Sequence, residues 1–192
     1  MFRSFLFSFS KALTSLIILF LLISSTTNIR ADIIYSPDSI NKIMSQSSDS
    51  SRLELLLKSA SEFTNSNTEL SIEYARIAIE LANKLNKPNE CILAEIIIGK
   101  ALFIKGEYTN AIEQLEKSQM RTLAINDSIN LIEIYRIYSL IYSRIGDFKK
   151  ALEYSEKGFG LIGKLKQQDK LADIVRETGN IYYSFGEYKI AL

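Results

Sequence analysis

The sequence predicts an all-α protein that folds as an α-solenoid, a stack of antiparallel helical hairpins repeating about every 40 residues. Three observations predict this fold class. Gly106, Gly146 and Gly186 are equally spaced along the chain, each is followed by an acidic and then an aromatic residue, and the apolar residues between them recur at helical spacing. One hairpin cannot bury its apolar face alone, so successive copies must stack. A heptad coiled coil is the competing all-α fold, and glycines at this interval argue against it.

The composition excludes several classes of function. The 192 residues contain no His and one Cys, so His-dependent catalysis, His-ligated metals and clusters of thiolate ligands are ruled out for this segment. Its 23 Lys+Arg against 22 Asp+Glu leave a formal charge of +1, which gives no basic footprint for nucleic acid. No Gly-rich phosphate loop or catalytic carboxylate pair stands out. We therefore expect no catalytic residue, no cofactor, no metal ion and no nucleic-acid partner here.

Residues 1–31 have the pattern of a secretory signal peptide. Arg3 and Lys11 precede an apolar stretch over residues 12–23, and the small residue Ala31 marks a cleavage point. The uninterrupted apolar core is shorter than the ~20 residues that span a bilayer. A cleaved signal is therefore favoured, and an uncleaved signal anchor remains the alternative.

This signal predicts export to the periplasm or to the outer face of the inner membrane. Membrane contact is expected only through the N-terminal segment when it is uncleaved, or through sequence beyond Leu192. Residues 32–51 are rich in Ser, Asp and Asn and include Pro37, which indicates a linker with room for a short helix. Ser50 or Ser51 is a suitable N-cap for a helix beginning near Arg52.

The repeated landmarks have a common physical explanation. Each spaced glycine ends a helix in a left-handed conformation, and the acid after it complements the dipole of the next helix. Small residues seven positions earlier and five positions later let the paired helices cross closely. A degenerate first copy has Ser66 in the glycine position and Ser71 in the alanine position. The structural repeat signature consists of Gly99, Gly106, Tyr108 and Ala111, then Ser139, Tyr142, Gly146, Phe148 and Ala151, then Gly179, Tyr182, Gly186, Tyr188 and Ala191.

At these residues the chain resembles the tetratricopeptide repeat (TPR) family. Tyr135, Tyr138, Ser139 and Tyr142 stand where the family has Trp-x-x-Leu-Gly-x-x-Tyr. There is no Trp, no Pro ends each copy, and the period is longer than the family norm of about 34 residues. The resemblance implies a right-handed superhelix over residues 52–192, with copies at about 52–90, 91–130, 131–170 and a truncated 171–192. The six extra residues are expected in longer helices and in longer loops near residues 87–89, 126–127 and 167–169.

The first helices of such a superhelix line a concave groove that suits a peptide. Arg176 and Asn180 lie four residues apart on one helical face, similar to the basic-plus-Asn clamp by which some TPR domains hold a peptide carboxylate. Ordinary solvated polar residues are the simpler interpretation, and it is favoured. Core packing is likewise favoured for the other tyrosines of these helices. The candidate groove residues are Lys100, Phe103, Arg136, Arg144, Arg176, Asn180 and Tyr183.

Two functions are consistent with these features. The first is an exported, non-catalytic repeat scaffold that binds a protein or peptide through the concave groove. The alternative follows from the resemblance: the sensory N-terminal region of a larger membrane-bound histidine kinase, cyclase or transcriptional regulator. The last copy stops about two turns into its second helix at Leu192, so we expect the solenoid to be incomplete at its C-terminus.

Overall fold

The computed structural model describes residues 47–165, 175–176, 178–180 and 183. The chain divides into two compact units, Met1–Ser48 and Asp49–Leu192, and the helices described below belong to the second. The predicted signal peptide, almost all of the predicted linker, and Tyr182, Gly186, Tyr188 and Ala191 lie outside the described residues. Within residues 47–165 six helices follow one another: α1 Asp49–Phe63, α2 Thr68–Lys84, α3 Pro88–Ile104, α4 Tyr108–Ala124, α5 Ser128–Arg144 and α6 Phe148–Leu165.

The helices begin at strictly regular intervals. From α2 onward the first residues of the helices are equally spaced, and α2 to α5 each contain 17 residues joined by connections of three. The repeat period is therefore two equal helices plus two equal turns. The extra residues relative to the usual TPR length lie in the helices, as predicted. The expected lengthening of the loops near residues 87–89 and 126–127 is wrong, because these connections are as short as those within a hairpin.

Every three-residue connection contains one residue in the left-handed region. Gly106 and Gly146 have φ of +81° and +82°, as their spacing predicts, and Asn86 and Asn126 have φ of +54° and +55°. Asparagine enters this region more easily than most residues, which explains its presence between hairpins. A backbone bond closes each turn: the Glu107 N–H donates to the Leu102 carbonyl oxygen at 2.9 Å, and three equivalent bonds recur at the other turns.

Side chains in the turns also cap the N-termini of the helices that follow. The Asp127 carboxylate accepts from the backbone N–H groups of Ile129 and Asn130 at 3.1 Å each, which satisfies donors at the start of α5. The α1 helix begins at Asp49, three residues before the predicted start near Arg52. Asp49 is held there by ion pairs to Arg52 and to Lys84 at the end of α2.

Consecutive hairpins share one apolar core. Ile92 and Ile96 of α3, Ala111 and Leu115 of α4, and Ile134 and Tyr138 of α5 belong to a single buried cluster. Gly99 permits the close crossing of α3 and α4, but its neighbour is Leu115, whose Cγ and Cδ2 would lie 2.7 Å from a Cβ at position 99. The predicted partner, Ala111, is fully buried but is not among the nearest atoms. An all-α solenoid of antiparallel hairpins is thus confirmed.

The tyrosines of α5 pack as the sequence predicts. Tyr138 is 1% exposed, and its ring centroid lies 4.7 Å from that of Tyr154 on α6. The rings of Tyr142 and Tyr154 stack at 5.5 Å with an interplanar angle of 5°. Lys157 lies over the Tyr154 ring, at 4.6 Å from its centroid. These rings form an aromatic wedge between α5 and α6.

Among the described residues, none of the helices combines the length and apolar character needed to cross a membrane.

Candidate functional site

The first helices of successive hairpins line an open cleft of about 530 Å³. It runs across α1, α3 and α5, so its residues come from three hairpins. The α1 helix and the turn after it form one side of the cleft, and α5 forms the other. Both sides supply mainly polar groups, and α3 supplies the floor between them. The lining residues are Glu54, Leu57, Lys58, Ser61, Glu62 and Thr64, then Leu93, Ile96, Ile97 and Lys100, then Asn130 and Glu133.

The floor of the cleft is mainly apolar because most residues of α3, apart from Asn89, Glu90, Glu95 and Lys100, are apolar. This helix carries the run Ile96, Ile97 and Ile98, and buried residues lie all around its axis. Most of its apolar surface packs against α2, α4 and α5, but Leu93 faces the cleft with 39% of its surface exposed. A large apolar side chain in a concave site is a typical anchor point for a ligand.

Charged side chains form the two walls. On α1, Glu54, Lys58 and Glu62 follow one another at four-residue spacing, which places them along one face. On α5, Arg136 forms a two-pronged pair with Glu133: Nε donates to Oε2 at 2.8 Å and Nη2 donates to Oε1 at 2.7 Å. Arg136, a predicted groove residue, thus pairs with a carboxylate of its own helix, and it is Glu133 of this pair that lines the cleft.

Lys100 is the basic residue of the floor. It is half-buried on α3 and lies one turn beyond Ile96 and Ile97. Within residues 47–165 its ammonium group forms no ion pair, although Glu54, Glu62 and Glu133 line the same cleft. With three carboxylates and two lysines, the charged groups that line the cleft are predominantly acidic.

Two other predicted groove residues, Phe103 and Arg144, do not line this cleft. Phe103 packs on the shared core, with its ring centroid 6.0 Å from that of Tyr108, and does not line the cleft. Arg144 is the last residue of α5 and is exposed. Arg176, Asn180 and Tyr183 are exposed, and their part in a groove stays a prediction.

Most residues of the cleft were not predicted from the sequence. Leu93 and Glu133 are separated by one full repeat, so they hold the same position in successive first helices, and this signal could have identified both. Glu54 and Lys58 were missed because the first hairpin lacks the glycine that fixes the register of the others.

A partly buried ion pair outside the cleft links α3 to α4. Arg121 Nη1 lies 2.6 Å from Glu95 Oε1 and 3.4 Å from Cys91 Sγ. The Glu95 side chain is 9% exposed, and this burial raises the pKa of its carboxyl group above the ordinary value, against the opposing effect of Arg121. Burial also raises the pKa of the Cys91 thiol above its ordinary value.

Comparison with known proteins identifies the repeat family. A family model described as the SusR N-terminal TPR domain matches residues 38–190, most of the chain. The chain belongs to this family. The repeat signature resembles the TPR family in general, and this match specifies the SusR N-terminal TPR domain family within it.

Solved structures similar to this SusR-type TPR domain support the same fold. A Rap protein crystallised with Competence and Sporulation Factor is 20% identical, with a TM-score of 0.68 over 73% of this chain and 40% of that one. Aspartyl phosphate phosphatase F from Bacillus subtilis is 15% identical, with a TM-score of 0.52 over 82% of this chain and 54% of that one. The chain thus spans about half or less of the length of these structures. A search of curated proteins finds no match.

The described part of this TPR domain contains no group of three or more Cys, Asp or Glu side chains arranged to hold a metal ion. What the cleft offers chemically is an apolar floor, one cation without an ion pair in the described region, and carboxylates on both sides. These groups suit noncovalent recognition of an amphipathic chain.

Proposed function

We propose that this protein is a non-catalytic scaffold that binds a protein or peptide segment in the cleft between α1, α3 and α5. The observation that carries the proposal is the exposed Leu93 on the floor of an open cleft with charged side chains on both walls. A Rap protein of similar fold was crystallised with Competence and Sporulation Factor, so a solenoid of this kind accommodates a bound partner.

The absence of catalysis is part of the proposal. The chain has no His, its single Cys is buried, and the groups lining the cleft are suited to binding. Aspartyl phosphate phosphatase F is named as an enzyme, but at 15% identity the likeness concerns the fold and transfers no activity.

Site-specific photocrosslinking tests the binding proposal. A benzoylphenylalanine at Ser61, inside the cleft, should form a discrete crosslinked adduct with a partner in the producing cell. The same probe at Glu116, on the exposed face of α4 outside the cleft, is the matched control. No adduct at position 61, or the same adduct at both positions, would contradict binding in the cleft.

A second candidate is a sensory N-terminal region of a larger membrane-bound signalling protein. The family description favours it, because it refers to an N-terminal domain of SusR. Sequence beyond Leu192 that encodes an apolar segment of about 20 residues and an output domain would support this candidate. A polar capping helix followed by a stop codon would contradict it.

Export to the periplasm or to the outer face of the inner membrane belongs to both candidates. Its support is the arrangement of Arg3, Lys11 and the apolar residues 12–23. Residues 1–46 fused to alkaline phosphatase should give an enzyme active only in the periplasm, and N-terminal sequencing distinguishes cleavage after Ala31 from an uncleaved anchor. A fusion that stays in the cytoplasm and shows no phosphatase activity would contradict export.

A further inference from the structure

We propose a second binding site, formed by α2, α4 and the end of α3, that takes an aromatic side chain of a partner protein with basic residues beside it. The site is a cavity of about 330 Å³ that shares no lining residue with the cleft. Its main lining residues are Ile72 and Arg76 of α2, Leu102 of α3, and Gln114 and Lys117 of α4. The inference therefore goes beyond the function proposed for the cleft.

The next repeat, formed by α5 and α6, contains aromatic rings at the equivalent positions. Leu102, Gln114 and Lys117 correspond one repeat later to Tyr142, Tyr154 and Lys157. There the rings of Tyr142 and Tyr154 stack at 5.5 Å. A third position agrees, because Ile98 lines the cavity where the next repeat has Tyr138, whose ring lies 4.7 Å from that of Tyr154.

The cavity is therefore open because smaller side chains stand where the next repeat packs rings. Its helices have the same length and the same connections as those around the tyrosines, so the framework that holds a ring is repeated here. Its volume is at the lower end of the range for ligand pockets, about 300–1,000 Å³, which suits one large side chain.

Two cations at the cavity favour an aromatic occupant over an aliphatic one. Arg76 and Lys117 line the cavity, and neither forms an ion pair with a residue that the structure describes. The face of an aromatic ring attracts a cation that lies within about 6 Å of its centroid. In the next repeat Lys150 and Lys157 lie over tyrosine rings in this way, at 4.9 and 4.6 Å. A ring from a partner gives Arg76 and Lys117 the same kind of contact.

Carboxylates next to the cavity favour basic residues beside the ring. An adjoining cavity of about 490 Å³ shares part of its lining with the first. It is lined by four glutamates, Glu69, Glu73, Glu80 and Glu107, against Arg76 and Lys105. Lys105 is already paired with Glu69 and Glu107, whereas Glu73 and Glu80 are exposed and form no ion pair within the described part of the chain. Lys or Arg beside the aromatic residue complements these two carboxylates.

Tryptophan fluorescence tests the proposal on the full chain. The protein contains no Trp, so the peptide acetyl-Lys-Trp-Lys-amide supplies the only indole in the mixture. Its emission should shift to the blue as the ring is buried, and the shift should saturate with a Kd of about 0.1–1 mM. A peptide with Glu in place of both Lys residues should bind about tenfold more weakly or worse. A peptide whose emission does not shift in a saturable way would overturn the inference.

Filling the cavity from within gives the sharpest variant. Leu102→Tyr combined with Gln114→Tyr introduces the two rings of the next repeat and should weaken binding about tenfold or more, with helicity checked by circular dichroism. Leu93→Ser in the cleft should leave the affinity within about twofold, which separates this site from the proposed function. Equal binding to the unmodified and the filled protein would overturn the inference.

An exposed pair of substitutions keeps the test independent of core packing. Glu73→Gln combined with Glu80→Gln should weaken binding about threefold or more at low ionic strength, and Glu116→Gln, on α4 outside both cavities, should not. If the double tyrosine variant does not fold, unchanged affinity of the double glutamine variant overturns the inference.

Two other results would assign the binding differently. Loss of peptide binding in Leu93→Ser would place the peptide in the cleft, which overturns the second site and leaves the proposed function standing. Analytical ultracentrifugation that shows a dimer of the unmodified protein and a monomer of the filled variant would make a second copy of this chain the occupant, and would overturn the assignment to a different partner.

Discussion

The Cα of Gly99 on α3 faces Leu115 on α4 so closely that an added Cβ would lie 2.7 Å from both Cγ and Cδ2 of the leucine. Leu115 is fully buried, so it has no open space into which it can move. The crossing of the two helices therefore depends on the absence of one methyl group. In the next hairpin, Ser139 and Ser155 occupy the equivalent positions, and their Oγ atoms lie 2.8 Å apart.

Replacing Gly99 by Ala should lower the free energy of unfolding by about 1–3 kcal/mol, because overpacking outweighs the gain in helix propensity. Urea denaturation followed by circular dichroism measures the change. Gly160→Ala on α6 is the matched control, since nothing lies within 4 Å of its Cβ position. That variant should be more stable by about 0.5–1 kcal/mol. Equal effects of the two substitutions would show that propensity alone decides the stability.

Removing one partner of the Glu95–Arg121 pair should leave a buried carboxylate without its countercharge. We expect Arg121→Leu to lower the free energy of unfolding by about 1–3 kcal/mol. The double variant Glu95→Leu with Arg121→Leu should recover most of that loss, because Leu55 and Leu81 hold the same positions one repeat earlier. A double-mutant cycle with no coupling energy would show that the two residues contribute to stability independently of each other and would contradict this prediction.

The pH dependence of stability should reveal Glu95. Its carboxyl group has a pKa raised from an ordinary value of 4.5, so the folded state binds its proton more tightly than the unfolded state does. The stability that this group contributes is present below about pH 4.5 and is lost as the pH rises through the raised pKa. Glu95→Gln should therefore gain stability relative to the unmodified protein between pH 4 and pH 7, measured by urea unfolding at both pH values.

Glu113→Gln makes the same chemical change on the exposed face of α4 and controls for the lost formal charge. A Glu95→Gln variant whose stability changes with pH in parallel with the unmodified protein would contradict the assignment to Glu95.

The turns between hairpins should tolerate glycine but not alanine. Asn126 has φ of +55°, where alanine is strained by about 1–2 kcal/mol, whereas glycine is unstrained and asparagine is accommodated more easily than other L-residues. We expect Asn126→Ala to lower the melting temperature and Asn126→Gly to leave it nearly unchanged, by differential scanning calorimetry. Equal melting temperatures for the alanine and glycine variants would contradict the prediction that Asn126 stabilises the turn through its left-handed conformation.

The fold was predictable because its determinants are local and repeated. Gly106 and Gly146 mark helix ends by their own backbone conformation, and helical spacing of apolar residues needs no tertiary information. Asn86 and Asn126 were not recognised as turn residues, although each lies half a repeat before one of these glycines. Asparagine also occurs in many other settings, so its presence alone does not identify a left-handed turn.

The site was less predictable because it depends on distances between hairpins. The pairing of Arg136 with Glu133 is local, at a spacing of three residues, and could have been found from the sequence. The exposure of Leu93, by contrast, depends on how far α1 and α5 stand from α3, which no spacing along the chain determines. The same holds for Glu95 and Arg121, which are 26 residues apart and meet only through the register of their hairpin.

The even spacing of the turns makes the solenoid divisible. The segment from Pro88 to Asp127 is one repeat long, begins after one asparagine turn and ends with the next, and contains both Leu93 and Lys100. Exchanging this segment for another of equal length preserves the phase of every helix that follows. The floor of the cleft thus belongs to a segment that recombination can exchange while the register of the remaining helices is kept.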